Sequence, residues 1–251
     1  MSEANAVIVS AREALPLTNE KNLHYPALNC EIKSENLICL VGPYRFQLRQ
    51  YLQMLAGIHS PERGQVKIFG QDSPFDQAAW KAMRTRIGYF SGVAPLLSTH
   101  HGLMNVMLPM LYHRNLSFRE TADKARSFLK ELECDFDLLS FPALLSSIQR
   151  LQLGLARALM LDPALLILDV PFHDLGAQER AVMGRLLAKF KQNKAICMIG
   201  GLQYPQFLEQ HATHMIYISE QKIRHFDSWN AFINDEDKAI QGLLIGLKNA
   251  E

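Results

Sequence analysis

Two short segments of this chain place chemically useful groups at the ends of strand-like apolar runs. In the first, Leu37-Ile38-Cys39-Leu40-Val41 leads into Gly42-Pro43-Tyr44-Arg45-Phe46-Gln47-Leu48-Arg49-Gln50. In the second, Leu165-Leu166-Ile167-Leu168 ends on Asp169, followed by Val170-Pro171-Phe172-His173-Asp174. A glycine after a strand suits a loop whose backbone N–H groups face phosphate, and a strand-end carboxylate can hold a cation. Arg45 and Arg49 add two fixed positive charges, and Arg can grip phosphate bidentately. The same two residues could instead form salt bridges that fill such a loop, and Asp169 could be a plain strand-end carboxylate. The residue types alone leave both choices open. His173 reads as a solvent-facing loop residue, and His100 and His101 as surface residues rather than a ligand pair.

The elements that must position these groups alternate in type. Leu37 to Val41, Gln65 to Phe69, Ile87 to Phe90, Leu165 to Asp169, Ala195 to Ile199 and Met215 to Ile218 are apolar runs of about strand length. Continuous apolar runs suit strands covered on both faces of a parallel sheet. Ser117-Phe118-Arg119-Glu120 predicts a capping box opening a helix through Glu133, with Ala122, Ala125, Phe128, Leu129 and Leu132 on one face. Gln149 to Leu161 and Ala177 to Lys191 are further helical stretches. The stretch from Gly92 to Arg150 shows no strand pattern and reads as a helical insertion. The expectation is a single α/β domain over 1–251 with a mainly parallel core sheet and a helical subdomain at about 93–150.

Composition narrows the function classes. The chain has 251 residues, 48% hydrophobic, so a sizeable core is available and intrinsic disorder is excluded. Its 26 basic and 25 acidic side chains give a net charge of +1, which argues against a protein built to grip nucleic acid. Cys30, Cys39, Cys134 and Cys197 are scattered without a C-x-x-C pair, so neither a disulfide framework nor a metal site is expected. No secretory leader and no apolar run of about 18 residues is present, so a cytoplasmic protein reaching the membrane through a partner is expected.

Leu144-Leu145-Ser146-Ser147-Ile148-Gln149-Arg150, then Leu155-Ala156-Arg157-Ala158-Leu159, Asp162-Pro163 and Leu165 to Pro171 follow one another without a gap. This order resembles the signature-to-Walker-B region of ATP-binding cassette (ABC) proteins, LSGGQ…ARAL…P…LLLDEP. Leu40 to Pro43, Leu55-Ala56-Gly57, Pro61 to Val66 and Phe69-Gly70 resemble the flanks of the cassette's Walker A loop and the following β-hairpin. The resemblance covers nearly the whole chain. It implies a P-loop NTPase-like cassette with an antiparallel β portion and the helical subdomain, and a second cassette, identical or intact, as partner.

The resemblance also says which residues should carry catalysis, and most are replaced. A phosphate-binding loop is G-x-x-x-x-G-K-[ST], with Lys on the β- and γ-phosphates and Ser/Thr on Mg²⁺. Here Gly42 and Pro43 remain, Gln47 replaces a Gly, Leu48 stands at the Lys position, and Arg49, followed by Gln50, at the Mg²⁺ hydroxyl position. Asp169 keeps the Walker B carboxylate, but Val170 stands at the catalytic Glu position. The Q-loop position falls on Gly92. The switch-His position falls on Gln203, or on Gly201 with one gap. In the signature, Ser146 and Gln149 persist while Ser147 and Ile148 replace the Gly pair, and Ile148 is expected to crowd a γ-phosphate.

These replacements together imply a pseudo-ATPase: a cassette subunit for which no cofactor is expected beyond weak residual ATP/Mg²⁺ binding. An integral membrane permease would dock between the core and helical regions, around Gly92 to Pro109. Asn105-Val106-Met107-Leu108-Pro109-Met110, Pro171-Phe172 and the tail Ala239 to Leu243 resemble Mla-type lipid-transport cassettes, which implies mammalian-cell-entry (MCE) domain proteins as further partners. Two alternatives stand beside it: an unorthodox ATPase using Arg45 or Arg49 on phosphate, and a soluble interaction protein reusing the fold.

Overall fold

The computed structural model describes residues 6–17, 24–93, 95–191 and 194–248. A six-stranded sheet runs through the centre in the order β10(Ile223–Phe226), β9(His214–Ile218), β3(Leu37–Val41), β8(Ala195–Ile199), β7(Leu165–Asp169), β6(Ile87–Ser91). All neighbours pair in parallel except β10 with β9. A second, antiparallel sheet has the order β2(Leu28–Lys33), β1(Val7–Pro16), β4(Pro61–Ile68), β5(Gln71–Asp72). The mixed α/β class and the antiparallel portion are as expected. β4 begins earlier than the apolar run at Gln65 indicated, because Pro61 and Arg63 already pair with Pro16 and Leu15 of β1.

The central strands are apolar throughout because both of their faces are covered. Successive strand residues point to opposite sides. In β3, Leu37, Cys39 and Val41 enter one core cluster while Ile38 and Leu40 enter the other. β7 divides likewise, with Leu166 and Leu168 on one side and Leu165 and Ile167 on the other. One cluster is capped by α1(Arg45–Leu55) and the antiparallel sheet, through Tyr51, Leu52, Leu55, Val9 and Val66. The other is covered by α3(Gly102–His113), α4(Phe118–Glu131), α5(Ser147–Leu159) and α6(Ala177–Phe190). Short helices α2(Gln77–Met83), α7(Pro205–His211), α8(Trp229–Ile233) and α9(Lys238–Lys248) complete the chain.

Residues 102–159 hold α3, α4 and α5 and no strand. The capping box of α4 forms as expected: Ser117 Oγ accepts from Glu120 N at 3.2 Å, and Glu120 accepts from Ser117 N at 2.9 Å. Phe118, which opens the helix, is 60% exposed, while Thr121, Ala125 and Leu129 are buried. Among the described residues no helix is long and apolar enough to cross a membrane.

Candidate functional site

In a parallel sheet the C-terminal strand ends share one edge, where ligands usually sit. Here β3 ends at Val41, β6 at Ser91, β7 at Asp169 and β8 at Ile199. From Val41 the chain passes through Gly42 and Pro43 into α1, and Gly42 lies against the backbone of Ile218 and the side chain of Leu48. α1 starts at Arg45, with Tyr44 as an N-cap that supplies no side-chain bond. Leu48 N already donates to Tyr44 O at 3.1 Å, so its amide is spent inside the helix. Leu48 is buried in the core cluster beneath α1, and Gln50 is half-buried. Gln47 is fully buried; its Nε2 donates to His24 O at 3.1 Å, while its Oε1 has no partner among the described residues.

Arg45, Arg49 and Gln53 follow one another at four-residue spacing, so they share a face of α1. All three line an open depression of ≈ 730 Å³ with Tyr89, Ser91, Asp169 and His173. Arg49 reaches Asp169 with both arms of its fork, Nε to Oδ2 at 2.7 Å and Nη2 to Oδ1 at 3.0 Å. Of the two roles open to Arg49, this is the ion pair. Asp169 is buried, and its hydrogen bonds hold the Arg49 guanidinium more firmly protonated than usual. Tyr89 adds a third donor, its hydroxyl 3.3 Å from Oδ2. Burial keeps that phenol protonated by raising its pKa above the ordinary range. Arg45 is exposed and forms no ion pair among the described residues. His173 is half-buried and pairs only with its neighbour Asp174, at 3.3 Å, among the described residues.

No motif marks Tyr89, but its place in an alternating strand does. β6 pairs with β7 so that Tyr89 opposes Ile167 and Ser91 opposes Asp169. An alternating strand of this kind sends Ile87, Tyr89 and Ser91 to one side.

Beyond Asp169 the backbone turns sharply. Val170 has φ +50°, a left-handed conformation that is costly for a β-branched residue. Its N–H donates to Ile199 O at 3.1 Å and its side chain is buried. Two glycines make room for it. A Cβ on Gly92 would lie 1.9 Å from Val170 O, and one on Gly200 would lie 2.6 Å from Val170 Cγ1. Gly92 N also donates to Asp169 O at 2.8 Å. Val170, Gly92 and Gly200 therefore form one packing unit around the end of β7.

The family model described as ABC transporter matches residues 50–173. The sulfate/thiosulfate import ATP-binding protein CysA 2 of Shewanella oneidensis is 30% identical over 65% of this chain and 46% of its own length. The lipoprotein-releasing system ATP-binding protein LolD of Chromohalobacter salexigens is 29% identical over 64% of this chain and 68% of its own. A solved dimeric ATP-binding cassette bound to ADP and Pi superposes with a TM-score of 0.77 over 88% of this chain and 98% of that one, at 20% identity. Residues 50–173 match the ABC-transporter family, and the fold of the chain is that of an ABC cassette. The chain spans about half the length, or less, of the import proteins that it matches.

The remaining cassette positions have local structural roles. Ser146 caps α5 in a second capping box: Ser146 N donates to Gln149 Oε1 at 2.9 Å and Gln149 N to Ser146 Oγ at 3.4 Å. Ser147 Oγ accepts from Arg150 at 3.3 Å. Ile148 is half-buried against the core cluster. The signature polar groups are thus engaged within α5. Gln203 ends a 3-10 turn over Gly201–Gln203, and its carbonyl accepts from Arg180 at 3.2 Å. His101 caps α3 through Nδ1, accepting from Met104 N at 3.1 Å, and Asn105 ties Leu97, His100 and His101 carbonyls together. Among the described residues no group of three or more His, Cys, Asp or Glu could hold a metal ion.

Proposed function

We propose that this cassette is a pseudo-ATPase subunit that supplies structure or regulation to a transporter and does not turn over ATP by itself. The observation that carries the reading is the bidentate Arg49–Asp169 pair. A Mg²⁺–nucleotide needs a free carboxylate, a hydroxyl, a Lys and unspent loop amides. At these positions the chain offers an Arg-bound carboxylate, the guanidinium itself, the buried Leu48, and an amide bonded to Tyr44. Val170 and Gly92 place no carboxylate or amide side chain beside Asp169. These residues do not fit the cofactor.

The relatives are ATP-binding proteins of import and release systems, which supports docking on an integral membrane permease, with the cassette peripheral to the membrane and paired with a second, identical or intact, cassette. The Mla-type phospholipid branch with MCE-domain partners rests on the run Asn105 to Met110, on Pro171-Phe172 and on the tail Ala239 to Leu243. Asn105 has a local loop-closing role that would explain its presence without any cargo.

Calorimetric titration with ATP and Mg²⁺, paired with a turnover assay, tests the reading. No heat and no phosphate release are expected; turnover by the isolated chain overturns it. One observation favours a second reading. Arg45 stands without an ion pair among the described residues at the first residue of α1, where an anion is favoured. Heat with ATP but no turnover would therefore indicate residual anion binding. Recovery from membranes together with an integral membrane protein is expected as well, and phospholipid transfer by that complex would test the branch.

A further inference from the structure

A pocket of ≈ 250 Å³ lies where α3, α4, α5 and α6 converge, away from the strand ends that carry Asp169. Asp162 and Lys194 on its rim come just before β7 and β8, whereas Asp169 ends β7. Its walls are apolar: Met110, Phe128, Leu159, Met160 and Phe190. Phe128 and Phe190 meet edge to face with ring centroids 5.4 Å apart, which fixes one wall, while the unbranched Met110 and Met160 can adapt to what enters. Charge gathers at the mouth. The Lys194 side chain is 12% exposed and its ammonium lies 2.5 Å from Asp162, a carboxylate 89% exposed to water. An ammonium has three donors, and this is the one hydrogen bond Lys194 Nζ makes among the described residues. Lys124, one turn before Phe128 on α4, forms no ion pair among the described residues, because Glu120 is engaged by Ser117 in the capping box. Two ammonium groups therefore face one carboxylate over an apolar pocket.

We propose that this pocket binds a small amphiphilic monocarboxylate, its apolar chain between Phe128, Phe190 and the two methionines and its carboxylate between Lys194 and Lys124. Size and charge together select this class. An apolar cavity of about 150 Å³ takes up benzene, so in proportion this pocket holds about ten non-hydrogen atoms, the size of octanoate. An inorganic anion would leave the apolar walls wet, and a neutral hydrocarbon would leave the ammonium donors unused. A dianion would exceed the single positive charge that remains after Asp162 is counted. A carboxylate on an ammonium makes a charge-assisted hydrogen bond, stronger than a neutral one. The assignment goes beyond the pseudo-ATPase reading and stands or falls separately from it.

Calorimetric titration of the full chain with sodium octanoate tests this. Saturable binding with a dissociation constant of about a millimolar or tighter is expected for a ligand of this size. Lys194→Met keeps the apolar stem and frees only an exposed carboxylate, and it should weaken binding about tenfold. Lys124→Gln, at an exposed position, should weaken it about two- to fivefold at an unchanged unfolding midpoint. Octanol should bind about tenfold more weakly than octanoate, for want of the charge-assisted bond. Octyl phosphate, whose head approaches a double negative charge at neutral pH, should also bind more weakly. With the methionine methyl groups isotope-labelled, octanoate should shift the resonances of Met110 and Met160, assigned by Met110→Leu and Met160→Leu. Met54, in the cluster beneath α1 on the other face of the sheet, should not move. No saturable heat up to about ten times the expected constant overturns the proposal. So does equal affinity for octanol, tighter binding of octyl phosphate, indifference to both lysine variants, or methyl shifts that spare Met110 and Met160.

Discussion

Arg49→Met removes the guanidinium that occupies Asp169 while keeping most of the packing stem. The Asp169 side chain is 5% exposed and that of Arg49 33% exposed. Without Arg49 the carboxylate would keep one long bond, from the Tyr89 hydroxyl at 3.3 Å. Removing one partner of a buried pair costs about 3–5 kcal/mol. The pair borders an open depression and a third of Arg49 already meets water, so a cost of about 2 kcal/mol is the better figure. Urea unfolding reads this as a midpoint lowered by roughly 0.7 M, taking a slope of about 3 kcal/mol/M. Asp169→Asn should also destabilise, since it exchanges a charged acceptor for a weaker one. The double variant should lose less than the two singles together, by about 1–2 kcal/mol of coupling. Single costs that add to within about 0.5 kcal/mol would show that the two residues are neighbours without an energetic bond, and the argument from an occupied carboxylate would fall.

Gly92→Ala should cost about 2–4 kcal/mol in the same assay, because its Cβ would meet the Val170 carbonyl at 1.9 Å; a loss below about 0.5 kcal/mol would show that the turn yields freely. Ser146→Ala should cost about 1 kcal/mol through the lost cap of α5 and leave calorimetric titration with ATP unchanged, whereas a changed titration would restore a ligand role to Ser146. Leu48→Lys would bury an ammonium in an apolar cluster, so marked destabilisation without recovered ATPase turnover is expected, and turnover would refute the reading of a rebuilt loop. Stability should fall in two stages on acidification. His211 and His225 are held below the ordinary 6.5, chiefly by burial, so the unfolded chain binds protons first and stability is lost from about pH 6.5 downward. Glu133 and Asp235 are held below their ordinary values by hydrogen bonds to Arg185 and Arg224, so their contribution persists above about pH 4.5 and is lost below it. A flat midpoint between about pH 7 and 5.5 would contradict the first stage.

How much of this was legible from residues depended on whether an element announces itself locally. β3 and β7 did, because burial on both faces leaves an unbroken apolar run, and α4 did through its capping box. β1 did not: Glu13 takes φ +46° and the register shifts between Ala11 and Ala14, so the strand shows no clean alternation. α3 carries Pro109 inside it and takes its cap from a histidine, neither of which is an ordinary helix signal. Nor did any signal mark the first turn of α1, which starts at Arg45. The Arg49–Asp169 pair spans 120 residues, and residue types alone named a salt bridge for Arg49 without its partner.

The departures from the cassette pattern are tied to one another in space. Val170 can hold its left-handed turn because Gly92 and Gly200 bring no side chain against it. A Gln at 92 would meet Val170 O just as an Ala would, so the Q-loop position could not be restored before the turn itself changed. Likewise, Arg49 can grip Asp169 because α1 begins early enough to carry Arg45 and Arg49 on one face, and that same early start spends the amide of Leu48. Residues that look like independent departures when read along the chain are two self-consistent packings, one around Val170 and one around Arg49. Reverting any single position would therefore cost stability before it could return chemistry.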